Sequence, residues 1–308
     1  MTTRLPLVYH DCYSFPFPDN HRFPMAKFRL LHDLLRAEGL LGDDNLHRPD
    51  ACPGEVLALT HCPDYLQRFV TGTLTFQEGR RLGLPWSPAL VTRTLHEVGG
   101  TLLTARLALR HGLACHLAGG THHAHRDAGS GFCALNDLAV TARALLASGE
   151  ARRILIVDCD VHQGDGTARL LAGNPGVFTL SLHCEKNFPA RKAVSSRDVG
   201  LPNGLDDDGY LAVLAVELDE ALKRFHPELV LLDAGVDVHA DDGLGYLMLS
   251  DAGLAARDHL VLSRCLQDGI PVAGVLGGGY DRDPAKVAHR HAFLHRAASA
   301  LWPRYGRP

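Results

Sequence analysis

No Cys-x-x-Cys pair occurs in this chain, and its eight cysteines are scattered. Cys115, Cys133 and Cys159 lie in apolar or motif surroundings, which predicts reduced, buried thiols and argues against both a disulfide framework and a Cys-based zinc site. Blocks of Lys and Arg are also missing, and the formal net charge is −4, so nothing offers nucleic acid or an anionic membrane an electrostatic footprint. The longest aliphatic runs, such as "ILIV" and "LVLL", are far too short to span a bilayer. The start, "MTTRLPLVYHDCYSF", lacks the apolar core of a signal peptide. A cytosolic protein is expected, with neither nucleic acid nor membrane as partner. Internal repeats, low-complexity segments and linkers are absent as well. With 308 residues, 46% hydrophobic and 21% charged, the chain reads as a single domain over 1–308 with a large core.

Short aliphatic runs alternate with longer segments of helical spacing. "ACHLAG" (114–119), "ILIVDCD" (154–160), "VFTLSLH" (177–183), "LVLLDAG" (229–235) and "PVAGVLGGG" (271–279) read as buried strands. Between them, 90–112, 137–150, 209–225 and 250–269 carry apolar residues at i, i+3 and i+4, with Gly near several ends. This predicts the α/β class, with a central, mostly parallel sheet and helices on both faces. The Pro-rich "YSFPFPDNHRFPM" (13–25) carries aromatics and is expected to form an ordered loop near a site mouth. Parallel sheets place ligands beyond the carboxyl ends of their strands, and there the polar, Gly-flanked segments "GGTHHAHRD", "DVHQGDG", "GVDVHADDG" and "GGGYDRD" gather.

Within a strand, Asp158, Asp160 and His162 would project to one side as a row of two oxygens and a nitrogen. That row suits a divalent metal, although a lone D-x-D-x-H also fits a solvated strand end. Gly164 and Gly166 allow close backbone approach, and Asp165 adds a third carboxylate where a helix should begin. A catalytic metal site needs a further ligand from another strand, for which Asp237 is the choice. Asp233 reads as a buried hydrogen-bonding group, with an exchange of the two roles left open. Asp241 and Asp242 read as loop or capping residues. Neighbouring histidines usually diverge, but Asp158 and Asp165 could each orient one ring of the His122–His123 pair and fix its tautomer. His125 reads as a surface residue. Tyr280, after three glycines, is either a packing residue at a turn or an oxyanion donor. His289, His291 and His295 are expected on a solvated helix face, with the i, i+4 pair His291 and His295 as an alternative metal site, and Asp206, Asp207 and Asp208 at a helix N-terminus.

Taken together, "GGTHHAHRDAGSGFCALND", "DCDVHQGDGTA", "AGVDVHADDGLG" and "GGGYD", in that order along nearly the whole chain, resemble the zinc-dependent histone deacetylase family of the arginase/deacetylase fold. "YSFPFPDNHRFPMAKF", "DVHQGDG" and "SLHCEKNFPARK" look most like its class IV branch and bacterial relatives. The resemblance implies Asp160, His162 and Asp237 as ligands of Zn2+, or of Fe2+ in its place. It implies His123 as general base and acid, His122 as its electrostatic partner, and Asp158 and Asp165 as the carboxylates behind the two rings. Tyr280 would polarise the acyl carbonyl, Gly131 and Phe132 would line an acyl channel with Phe188 on its other wall, and Asp158 with Ser181 would contribute to a structural K+ site. Asp233 departs from the Asn or Gln usual there. The implied reaction removes acyl groups, acetyl or longer, from lysine side chains of proteins or peptides or from acylated small amines. The small residues of "DAGSGF" (127–132) predict room for longer chains. The competing readings are an arginase-like binuclear manganese ureohydrolase and a non-catalytic acyl-ligand sensor.

Overall fold

The structure, a computed structural model, describes residues 4–307. Eight strands form one sheet: β1 (Leu7–Val8), β2 (Leu46–His47), β3 (Leu113–His116), β4 (Ile154–Asp158), β5 (Val177–Cys184), β6 (Arg197–Leu201), β7 (Leu229–Asp233) and β8 (Val272–Val275). Their order is β2-β1-β3-β8-β7-β4-β5-β6, and every pairing is parallel. The helices are α1 (Lys27–Ala37), α2 (Gly54–Leu57), α3 (Pro63–Thr71), α4 (Phe76–Leu82), α5 (Pro88–His111), α6 (Asp137–Ser148), α7 (Asp165–Leu171), α8 (Asp207–Phe225), α9 (Asp251–Gln267) and α10 (Pro284–Tyr305).

Strands covered on both faces read as continuous apolar runs, and β3, β4, β7 and β8 are buried throughout. Alternate residues of β4 enter separate cores. Leu155 and Val157 pack with α8, α9 and α10, for example Leu214, Val261 and Val287, whereas Ile154 and Ile156 pack with α5, α6 and α7 through Leu102, Leu138 and Leu170. Helices therefore cover both faces, as the α/β reading expects. The predicted strands at 114–119, 154–160, 229–235 and 271–279 each end two to four residues early, because the chain leaves the ladder to build the site.

The acidic run starts α8 as expected: Asp206 caps it by accepting from Gly209 N at 3.1 Å. Asp207 does more, accepting from Ser250 N at 2.8 Å and so joining the start of α8 to that of α9. The histidines of α10 correct the sequence reading. His289 is exposed, but His291 and His295 are 1% and 0% exposed, because α10 is wedged against α1 and α9. His291 Nε2 lies 3.3 Å from Lys27 Nζ, and burial holds both imidazoles neutral, His295 down to about 4.

Residues 14–25 line, with Tyr280, a groove of about 1390 Å3. All eight cysteines are free. Among the described residues no helix is long and apolar enough to cross a membrane.

Candidate active site

The β4 ladder ends at Asp158, flanked in register by Asp233 of β7 and Ser181 of β5. Past that point strand alternation no longer applies, and the expected row divides. Asp158 turns to His122, while Asp160 and His162 meet Asp237 from the segment after β7. His162 Nδ1 lies 3.1 Å from both Asp160 Oδ1 and Asp237 Oδ2. Gly278 N donates to Asp160 Oδ2 at 2.7 Å and Val161 N to Asp237 Oδ1 at 2.8 Å, so each carboxylate is held by backbone from a neighbouring segment. All three side chains are buried, and their candidate ligand atoms lie within 4.8 Å of one another.

This donor set fits a divalent cation. Burial and then the Asp160 charge push Asp237 up to about 6, a repulsion that a cation between the two carboxylates would relieve. Burial opposes charge on His162, but hydrogen bonds to Asp160 and Asp237 carry it up to about 10, so the site favours positive charge at that point. An O,N,O triad suits zinc or ferrous iron.

Beside the triad stand His122 and His123. Neighbouring histidines diverge in the usual case, yet here both are buried, with ring centroids 4.1 Å apart. His122 Nδ1 lies 2.8 Å from Asp158 Oδ2, His123 Nδ1 lies 2.9 Å from Asp165 Oδ1, and the two Nε2 atoms are 3.2 Å apart. Each carboxylate takes an Nδ1–H, so Nε2 of His123 carries the lone pair and can accept a proton, with Nε2 of His122 as its neighbour. Burial opposes charge on His122, but Asp158, Asp160 and Asp233 outweigh it and hold the ring well above the usual imidazole range. Burial and then the His122 charge bring His123 down to about 3, Asp165 offsetting only part. The two environments thus push a charged ring and a neutral one apart, the pattern of an acid–base pair.

Asp137, which the sequence reading missed, makes this pairing geometrically accessible. Its carboxylate accepts from Gly120 N at 3.0 Å and Thr121 N at 2.8 Å, fixing the turn in which Gly119 and Gly120 adopt φ of 85° and 84°. The signal was the "ND" at 136–137, which also starts α6 with Asn136 as its cap. His125 is a second correction: its side chain is only 12% exposed, because Nε2 reaches Asp165 Oδ2 at 3.3 Å.

Among the described residues the Asp233 carboxyl makes no hydrogen bond; Asp237 stands with Asp160 and His162, whereas Asp233 stands with His122 and Asp158. Both of its oxygens are buried without a hydrogen-bond partner, 3.8 Å being the approach to His122 Nδ1. Burial and then the Asp158 charge raise its pKa well above the carboxylate range. Asp242 acts as a loop clamp: Oδ1 accepts from Leu244 N at 2.8 Å, and Oδ2 from Tyr280 N at 2.7 Å. Tyr280 is thereby placed with its ring centroid 6.2 Å from His162 and 5.7 Å from Phe132. The glycines before it are needed for approach, since a side chain at Gly278 would collide with the Asp160 and Asp237 carboxylates.

Residues 21–295 match the sequence profile of the histone deacetylase domain. The chain belongs to the histone deacetylase family. It is 55% identical over 297 residues to an uncharacterized protein of Picosynechococcus sp., covering 96% of this chain and 99% of that one. Histone deacetylase 2 of Arabidopsis thaliana is 28% identical over 298 residues, covering 92% and 77%. The acetoin utilization protein AcuC of Staphylococcus aureus is 29% identical over 306 residues, covering 91% and 78%.

The ring of His123 has close neighbours on several sides. Phe188, 46% exposed, stands edge-on to the His123 ring at 4.8 Å. Phe132 has φ of +66°, uncommon for an aromatic residue, and is held there by a hydrogen bond from its N to Leu82 O at 2.8 Å. Gly131, at φ +53°, leaves no room for a methyl group, which would lie 2.6 Å from His123 Cδ2. Gly131→Ala is therefore expected to displace the ring and cut kcat/KM by about 10²-fold. Metal content should stay unchanged, and kcat/KM at the wild-type level would show that His123 tolerates the shift. At Gly129 an added carbon would lie 2.8 Å from Leu82 Cδ1 and 2.9 Å from the Tyr65 hydroxyl oxygen. Gly129 and Gly131 thus stand where an added side chain would meet close neighbours. Ser181 Oγ lies 3.0 Å from His183 Nδ1, with Asp158 as its register partner on β4.

Proposed function

We propose that this chain is a metal-dependent amidohydrolase that removes acyl groups from lysine side chains of proteins or peptides, or from related acylated small amines. The observation that carries this reading is the pairing of two buried histidines, each backed by its own carboxylate, with an O,N,O triad on adjoining strand ends. Asp160, His162 and Asp237 would hold zinc or ferrous iron. Bound there, the ion would polarise the acyl carbonyl and lower the pKa of water toward about 7. His123 Nε2 takes the proton of the attacking water while Asp165 holds the opposite edge of the ring. His122, kept cationic by Asp158, offsets the negative charge that builds up on the tetrahedral centre. The Tyr280 hydroxyl donates to the carbonyl oxygen as its charge grows. His123 then delivers its proton to the departing nitrogen, so that amide and water become amine and carboxylate. Asp158 and Ser181 would contribute to a potassium site, and buried free thiols support a cytosolic setting.

The arginase-like alternative needs two metals sharing ligands. Among the described residues a second acid–imidazole cluster does exist, His122 with Asp158 and Asp233, but it has no residue in common with the triad. Family membership favours the deacylase reading as well.

The resemblance to the class IV branch pointed toward long acyl chains, whereas the filled space at Gly129 and Gly131 favours a short one. The test compares acetyl-, octanoyl- and myristoyl-lysine versions of one peptide, with metal analysis of the same sample. Turnover that follows metal content, and kcat/KM that falls with chain length, are expected. A kcat/KM that rises with length would restore the long-chain reading, and turnover by metal-free protein would remove the metal from the mechanism.

A further inference from the structure

Phe188 has a second neighbourhood besides His123. It borders an open hollow of about 680 Å3 lined by Arg81, Arg126, Arg143 and Arg169, against which stand only Asp127 and Asp165 as acids. The charge of Asp165 is already engaged by His123, by His125 and by Arg169 at 2.5 Å. Arg143 donates to neutral oxygens, the carbonyls of Leu59 and Leu170, and its Nε is buried without a partner. Arg81 and Arg126 are exposed, and among the described residues neither guanidinium has a hydrogen-bond or ion-pair partner. Burial and then Arg126 lower the pKa of Arg143, a sign of positive charge that the protein does not neutralise.

The position of the hollow indicates which part of a substrate would meet this charge. The reacting acyl group must reach the buried His123, while the hollow, bordered by the Phe188 that packs on that ring, opens to solvent. On the deacylase reading above, we propose that the hollow is a substrate subsite for a carboxylate on the carrier, favouring acyl-lysines flanked by Asp or Glu. Such pairs are solvent-exposed, so the preference is expected to be modest, strong at low salt and expressed mainly in KM.

The experiment uses one acetyl-lysine peptide with Glu, Gln or Lys at each flanking position, the succinyl-lysine form of the Gln peptide, wild-type enzyme, and an Arg81→Ala/Arg126→Ala double variant. Wild type should favour Glu over Gln by roughly 3- to 10-fold in kcat/KM at low salt, disfavour Lys, and lose both effects near about 1 M salt. In the double variant the Glu-to-Gln ratio should fall toward unity. Equal kcat/KM for all three peptides in wild type would overturn the subsite while leaving deacylation standing. A Glu preference that survives in the double variant would place the anion elsewhere and overturn it too. A preference for succinyl-lysine over acetyl-lysine without any flank effect would assign the charge to the acyl group and overturn the carrier assignment. Absence of turnover on the Gln peptide by metal-loaded wild type would overturn both readings.

Discussion

Tyr280→Phe should lower kcat by about 10²–10³-fold with little change in KM or thermal stability. The substitution keeps the ring that packs 5.7 Å from Phe132 and removes a single oxygen. The backbone of Tyr280 would be unaffected, because its N donates to Asp242 and its carbonyl accepts from Gly243 N at 2.7 Å. Burial and then the Asp160 and Asp237 charges raise the phenol well above its usual pKa, so it stays protonated and can act as a donor throughout the working pH range. A donor aimed at charge that exists only in the transition state acts on kcat more than on binding. Steady-state kinetics with thermal melts of both proteins check this, and a variant with wild-type kcat would take the phenol out of the mechanism.

Asp237→Ala should cost still more. The carboxylate is the remote member of the triad, and its Oδ1 also holds Val161 N, in the turn between Asp160 and His162. Removal therefore takes away one ligand and loosens the segment that carries the other two. If the ion contributes several kcal/mol of transition-state stabilisation, activity should fall by about 10³-fold or more. Metal content should fall with it. Thermal melts give an independent readout, since a ligand that binds only the folded state stabilises it by mass action. Added Zn2+ should raise the Tm of the wild type and leave that of the variant unchanged. Full metal occupancy with normal turnover in the variant would dismiss the triad.

Composition and local pattern carried much of this molecule. The central strands were legible because burial on both faces makes each a continuous aliphatic run, and the candidate ligands and bases because polar, Gly-flanked residues at strand ends depart sharply from those runs. β1 and β2, with two residues each, and β6, in which only Leu201 is buried, offered no such run and went unseen. The division of Asp158 from Asp160 and His162 depended on where the ladder stops, which is set by the pairing partners Asp233 and Ser181 and not by the alternation itself. The same holds for His291, which reads as surface along its own helix yet is buried against Lys27, a residue 264 positions away. Gly129 looked like open space until Tyr65 and Leu82 were found to fill it. Periodicity records which face of one element is apolar, a property of neighbours in sequence. Burial, pairing of charges and the room left beside a glycine belong to whatever element packs against that face, and that element is remote in the chain.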